Sequence, residues 1–126
     1  TQTRLIRVER IGKNGAFRFT SYGKELHAHA RPPCVALMRE IIAERGEPTL
    51  IFPHASSYKE WDSFAGDLGL SERMFHVYPE YGNLVSASVP AAMALATQQG
   101  RLQRGDQVGC WVGSAGMSFA AYSFIY

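Results

Sequence analysis

Short apolar segments typical of β-strands alternate with longer segments of helical periodicity, and this alternation restricts the fold of the chain more than any other feature. The predicted strands cover residues 5–11, 16–20, 49–52, 75–78, 107–112 and 117–125, and the predicted helices cover residues 33–45, 58–68 and 86–99. Alternating strands and helices form layered α/β folds around a central sheet. The sequence therefore predicts an α/β fold with a largely central sheet.

The predicted helices have recognisable ends. Pro32 and Pro33 suit the first turn of the first helix, where the backbone N–H that proline lacks is not needed. Gly69 and Gly100 are placed to end the second and third helices. Because the helix at 86–99 consists almost entirely of small and apolar residues, we expect neighbours to pack closely on several of its sides.

Length and charge exclude several classes of protein. A chain of 126 residues matches one domain, and Lys+Arg 13 against Asp+Glu 11 gives a net charge of +2 without a basic stripe. Nucleic acid is therefore not an expected partner. The apolar runs are shorter than the ~20 residues that cross a bilayer, and no signal peptide opens the chain, so we expect a cytoplasmic protein without a membrane partner. The first residue is Thr1, which is compatible with a fragment of a longer protein.

Three predicted strands are followed by residues that can bind a ligand. His54 follows the strand at 49–52, Asn83 follows the strand at 75–78, and a glycine-containing turn at 113–116 follows the strand at 107–112. Ligands bind beyond the carboxyl ends of strands in α/β sheets, so we expect these segments to converge. An imidazole, a carboxamide and backbone N–H groups can all donate to an oxyanion. Each also has a simpler interpretation, namely a solvated histidine, a turn or capping asparagine, and a tight hairpin.

Other chemistry is poorly supported. No glycine precedes Ser114 by two positions, so the nucleophile elbow of serine hydrolases is absent from the sequence. His27 and His29 with Cys34 make an incomplete ligand set, and we predict no metal site. Cys34 could be activated at a helix start, although a packed and inert thiol is the favoured interpretation.

Four motifs occur in a characteristic order along the chain. They are Ile-Phe-Pro-His-Ala at 51–55, Tyr-Gly-Asn through Ser-Ala-Ser-Val-Pro at 81–90, Gly-Arg-Leu through Arg-Gly-Asp at 100–106, and Gly-Met-Ser-Phe at 116–119. In this order they resemble the C-terminal half of a β-ketoacyl-acyl carrier protein synthase III, a condensing enzyme of the thiolase superfamily. The resemblance covers residues 31–126. It implies a thiolase-like half, with a mixed central sheet and helices packed on its faces, as a single C-terminal domain over 1–126.

The resemblance also implies a site. His54 and Asn83 resemble the histidine and asparagine of the family's Cys-His-Asn site, and Ser114, Ala115 and Gly116 resemble its oxyanion turn. The implied reaction condenses an acyl thioester with a malonyl-type thioester, with His54 and Asn83 holding the enolate oxygen. Acyl-coenzyme A or acyl carrier protein thioesters are the implied substrates, and no bound cofactor is implied.

The family's nucleophilic cysteine lies in an N-terminal half that this chain lacks, and neither Cys34 nor Cys110 stands in a matching context. We therefore expect the chain alone to be inactive and to require the missing half. A homodimer is expected, as is an exposed apolar face near the small-residue helix at 86–96. The alternative interpretation is a non-catalytic thioester-binding or partner subunit with the same fold.

Overall fold

The structure is a computed structural model that describes residues 5–114 and 117–126. The strands are β1 (Ile6–Ile11), β2 (Ala16–Ser21), β3 (Leu50–Pro53), β4 (Gln107–Ser114) and β5 (Ser118–Ile125), and the helices are α1 (Gly23–Arg45), α2 (Tyr58–Gly66), α3 (Tyr78–Tyr81) and α4 (Ser88–Gln98). Single 3₁₀ turns occur at Ser71–Arg73 and Val85–Ala87. In this part of the chain, no helix is both long enough and apolar enough to span a membrane.

The central sheet has the order β3-β4-β5 and is mixed. Strand β3 pairs with β4 in parallel, and β4 pairs with β5 antiparallel. Because side chains alternate along a strand, Ile51 and Phe52 of β3 lie on opposite faces of the sheet. Helices α1 and α2 cover the Ile51 face, and α4 covers the Phe52 face. The predicted α/β fold with a mixed sheet between helices is confirmed.

Helix α1 begins at Gly23, ten residues before the predicted start, so Pro32 and Pro33 lie inside it. A proline ring fits the helical φ angle but leaves the carbonyl four residues earlier without its N–H partner. Those carbonyls belong to Ala28 and His29, which are exposed residues, so water can satisfy them. The prediction that the prolines mark the first turn was wrong: both lie inside the helix, where water can replace the lost hydrogen bonds but not relieve the clash of each ring with the preceding turn.

The predicted strand at 75–78 was also wrong. Only Met74 forms a bridge, to Ile51, and Tyr78 already begins α3 with a proline in its first turn. Proline cannot donate to a sheet and suits a helix start, so Pro79 ends any extended pairing. The apolar alternation of Phe75 and Val77 instead reflects their burial in the cluster that contains α4.

Helix α4 buries one stripe, formed by Ser88, Ala92 and Ala96, whereas small residues such as Ala94 are exposed. The other side of this helix is exposed, as expected if one of its neighbours is absent, so close packing on several sides stays a prediction. Pro90 lies in its first turn, where the missing N–H costs nothing.

One exposed apolar face lies on the β1–β2 hairpin. Its turn was predicted correctly from the glycine-containing segment between the strands, and the pairing of Val8 with Phe19 and of Arg10 with Phe17 places Val8, Phe17 and Phe19 on one face. Val8 is 64% exposed, Phe17 69% and Phe19 68%. Arg7, Glu9 and Arg18 occupy the opposite face by the same alternation. On this hairpin, three exposed apolar side chains therefore share one face with Arg10.

We expect this apolar hairpin face to bind hydrophobic dyes and to promote self-association of the isolated chain, because exposed apolar patches are association sites. The double variant Phe17→Ser/Phe19→Ser should lose most of the dye fluorescence and scatter light as a smaller species. The matched control Arg18→Ser changes the polar face of the same strand and should behave like the parent chain. A parent chain that is monodisperse, monomeric and unable to bind dye would contradict this expectation.

Candidate functional site

His54 leaves the end of β3 in a fixed direction. Its backbone N–H donates to the carbonyl of Trp111 at 2.8 Å, which extends the parallel β3–β4 pairing one residue beyond Pro53. The residue is half-buried. The carboxyl end of the central sheet therefore positions this imidazole, as the sequence predicted from its place after a buried strand.

Asn83 lies in the loop between α3 and α4, after Gly82, whose φ of 67° ends the short helix. Its side-chain Oδ1 accepts a hydrogen bond from the Val85 N–H at 2.8 Å. With the carboxamide oxygen engaged in this way, the Asn83 NH₂ group is left as the donor. Asn83 therefore has the predicted turn role. The same hydrogen bond orients its amide, so the turn role does not exclude a binding role.

Val85 has a φ of 52°, a left-handed conformation that is strained for a β-branched residue. Backbone strain of this kind tends to occur at functional sites, where the surrounding structure holds it. Here the Val85 N–H is held by Asn83, and its carbonyl accepts a hydrogen bond from Ser88 Oγ at 2.7 Å. The backbone of Val85 thus links the side chain of Asn83, which bonds to its N–H, to the side chain of Ser88, which bonds to its carbonyl.

Ser88 is the residue that sequence reasoning missed. It is only 1% exposed, and its Oγ lies 3.4 Å from His54 Nδ1 as well as 2.7 Å from the Val85 carbonyl. The structure therefore connects His54 and Asn83 through Ser88 and Val85. Ser88 belongs to the Ser-Ala-Ser-Val-Pro motif, but its contact with His54 spans 34 positions in sequence and no local pattern indicates it.

Burial lowers the pKa of His54 below its usual value near 6.5, and a hydrogen bond with the Val85 backbone partly opposes that effect. Because that bond favours the charged form, the ring donates and the Val85 carbonyl accepts. Because the net shift lowers the pKa, the imidazole is mainly neutral at pH 7. A neutral imidazole next to an amide donor is a suitable environment for a developing oxyanion.

The described residues include only the first residue of the predicted oxyanion turn, Ser114. Ser114 is the exposed last residue of β4 and pairs with Ser118, so the strand runs two residues beyond its predicted end. Ala115 and Gly116 lie outside the described residues. The predicted role of the turn therefore stays a prediction.

Both cysteines are fully buried thiols. Burial raises the pKa of Cys34 to about 12 and also raises that of Cys110, where a hydrogen bond with Tyr122 acts in the opposite direction. A thiol reacts as its thiolate, so neither group is a nucleophile at neutral pH. Cys34 lies in the middle of α1, not at a helix start.

The two histidines that precede Cys34 in the sequence, His27 and His29, lie beside another side chain or at the surface. His27 Nδ1 lies 3.9 Å from a Glu60 carboxylate oxygen, and His29 is exposed. Across residues 5–114 and 117–126, no three His, Cys, Asp or Glu side chains are grouped closely enough to hold a metal ion.

A mixed sheet covered by helices on both faces is the architecture of a thiolase-like half. Residues 43–125 match the family model described as 3-oxoacyl-[acyl-carrier-protein (ACP)] synthase III C terminal. The chain belongs to this family.

Individual relatives agree with this assignment. The chain is 32% identical over 91 residues to the β-ketoacyl-[acyl-carrier-protein] synthase III of Sphingopyxis alaskensis, a match that covers 68% of this chain and 28% of the relative. The Aquifex aeolicus protein of the same name is 28% identical over 109 residues, covering 82% of this chain and 35% of the relative. The chain therefore spans about a third of the length of these relatives.

Solved structures show the same fold. The crystal structure of 3-oxoacyl-[acyl-carrier-protein] synthase III from Aquifex aeolicus matches with a TM-score of 0.85 and 25% identity over 99% of this chain and 41% of that one. The enzyme from Pseudomonas aeruginosa matches with a TM-score of 0.84 and 24% identity over 99% of this chain and 40% of that one.

Proposed function

We propose that this chain is the C-terminal part of a decarboxylating ketoacyl synthase, in which His54 and Asn83 hold the enolate oxygen. The observation that carries the proposal is the connection of these two side chains through Ser88 and Val85 at the carboxyl end of β3. We assign both groups as neutral donors to this oxygen, because neutral donors suit an oxygen on which negative charge develops. The family assignment supports the same reaction class.

The proposed reaction has two stages. A cysteine thiolate of the N-terminal part attacks an acyl thioester, so a new C–S bond forms, the C–S bond to the carrier breaks, and the carrier leaves as a thiolate that takes up a proton from water. A malonyl-type thioester then loses CO₂, and the electrons of the broken C–C bond form an enolate whose oxygen is held by His54 and Asn83. The enolate carbon attacks the acyl-cysteine, which forms the new C–C bond and releases the cysteine. During this attack, negative charge develops on the carbonyl oxygen of the acyl group. We assign the backbone N–H groups at Ser114, Ala115 and Gly116 to that oxygen.

Several further assignments belong to this proposal. The substrates are thioesters of coenzyme A or of acyl carrier protein, and the names of the relatives mention acyl carrier protein. The reaction needs no resident cofactor, because thioester activation and loss of CO₂ supply the driving force. We assign the protein to the cytoplasm and to a homodimer in which the N-terminal part carries the nucleophile.

The test is a condensation assay on the longer protein that contains this chain. With an acyl thioester and a malonyl thioester labelled at its free carboxyl group, we expect release of labelled CO₂ that depends on the acyl thioester, together with a 3-ketoacyl product. Omission of the acyl thioester is the control. Binding of thioesters without acyl-dependent product would contradict the proposal and favour the non-catalytic subunit.

A further inference from the structure

Val85 combines two properties that the fold alone does not explain. Its φ of 52° lies in the left-handed region, which is unfavourable for a β-branched side chain. Its side chain is also 67% exposed and belongs to neither apolar cluster of the described residues, so burial does little to offset the strain. Strained residues of this kind persist only where the surrounding structure holds them, and they are concentrated at functional sites.

The backbone of Val85 accounts for the conformation but not for the side chain. The N–H donates to Asn83 Oδ1 at 2.8 Å, and the carbonyl accepts a hydrogen bond from Ser88 Oγ at 2.7 Å. A glycine could form the same two hydrogen bonds and would adopt the positive φ without strain. The isopropyl group therefore does not hold the loop, and its presence needs a separate explanation.

The isopropyl group lies beside a donor of the proposed site. Its Cβ is two bonds from the nitrogen whose N–H bonds to Asn83, which places Cβ within about 5 Å of Asn83 Oδ1. The NH₂ group of the same carboxamide is assigned to the enolate oxygen. In a malonyl-type thioester, that oxygen and the reacting carbon are bonded to the same carbonyl carbon. A substituent on the reacting carbon is therefore within reach of the Val85 side chain.

We propose that Val85 is a specificity-determining residue, whose exposed isopropyl group contacts the malonyl-type thioester and disfavours substituents on its reacting carbon. The preferred substrate is then the unsubstituted malonyl thioester, and a methylmalonyl thioester is rejected by its size. This inference rests on the proposed function, because the enolate oxygen must be held by His54 and Asn83 for the reacting carbon to lie beside Val85.

The first experiment compares the two thioesters in the longer protein. Val85→Ala and Val85→Gly should raise kcat/KM for methylmalonyl relative to malonyl thioester by about tenfold, the lower end of what one methylene provides in an apolar pocket. Val85→Thr keeps the branched shape and should keep the parent ratio. The matched control is Val8→Gly, which removes an equally exposed valine from β1 and should also leave the ratio unchanged.

The second experiment measures melting temperatures of the chain and needs no activity. Val85→Gly should not lower the melting temperature, because release of strain offsets the greater freedom of glycine in the unfolded chain. Val8→Gly should lower it by about 4 °C or more, since glycine weakens a strand and relieves no strain at this position.

The two proposals can fail separately. If the longer protein condenses the malonyl thioester but Val85→Ala and Val85→Gly keep the parent ratio, the specificity role is wrong and the proposed function stands. A longer protein that condenses neither thioester would overturn the proposed function and the specificity role with it. A lower melting temperature of Val85→Gly, in the chain or only in the longer protein, would assign the side chain to packing and would also overturn the specificity role.

Discussion

Replacing His54 with Ala in the longer protein is expected to slow malonyl decarboxylation by about 10²–10³-fold, which is the usual cost of removing one oxyanion donor. Asn83→Ala should have an effect of the same order, since its amide is assigned to the same oxygen. Transfer of the acyl group to the cysteine should be affected much less, because neither side chain is assigned to that step. Release of labelled CO₂ and mass spectrometry of the acyl-enzyme measure the two steps separately.

Matched controls are available in the chain. His29→Ala removes an exposed imidazole on α1, and Asn14→Ala removes an asparagine from the hairpin turn. Both should retain the parent rate. If His54→Ala or Asn83→Ala condenses at the parent rate, that residue does not belong to the site.

The isolated chain is expected to form no acyl-enzyme, because its two thiols are buried and their raised pKa values keep them protonated. Intact-mass spectrometry after incubation with an acyl-coenzyme A should show the unmodified mass. An alkylating reagent should likewise leave Cys34 and Cys110 unmodified in the folded chain and modify both in denaturant.

Denaturant therefore provides the positive control, since it demonstrates that the thiols react once they are exposed. Cys34→Ser identifies the residue if an adduct appears. Stoichiometric acylation of Cys34 in the folded chain would contradict the assignment of the nucleophile to the N-terminal part.

The sequence predicted those parts of the fold that depend on local chemistry. The hairpin turn, the buried strand β3 and the glycine after α4 follow from short-range rules, and they lie where predicted. The errors concern long-range effects. The first nine residues of α1, 23–31, contain Leu26, Ala28 and Ala30 as their only apolar side chains, which is too weak a helical pattern to outweigh the two prolines that follow. Phe75 and Val77 alternate as strand residues do, but burial against the α4 face produces the same pattern.

The site was predictable to a similar extent. The sequence placed His54 directly after a buried strand, and the structure agrees, whereas the strand predicted before Asn83 is absent and Asn83 lies in the loop between α3 and α4. The residues that connect them could not be found in this way, because the Ser88–His54 contact depends on how α4 packs against β3. No sequence pattern indicated the left-handed conformation of Val85, because glycine is the residue usually expected at a positive φ angle.

The two tryptophans of the chain have a consequence for how it can be observed. Trp61 and Trp111 are buried on the same side of the sheet, with ring centroids 5.3 Å apart, and Phe64 packs against both. Their fluorescence therefore reports on the layer formed by α1 and α2. The opposite layer, which contains Phe52 and the helix that carries Ser88, has no tryptophan of its own. Fluorescence and far-UV circular dichroism give the same unfolding curve only if both layers unfold together, so comparing the two curves measures whether the site side is coupled to the rest of the domain.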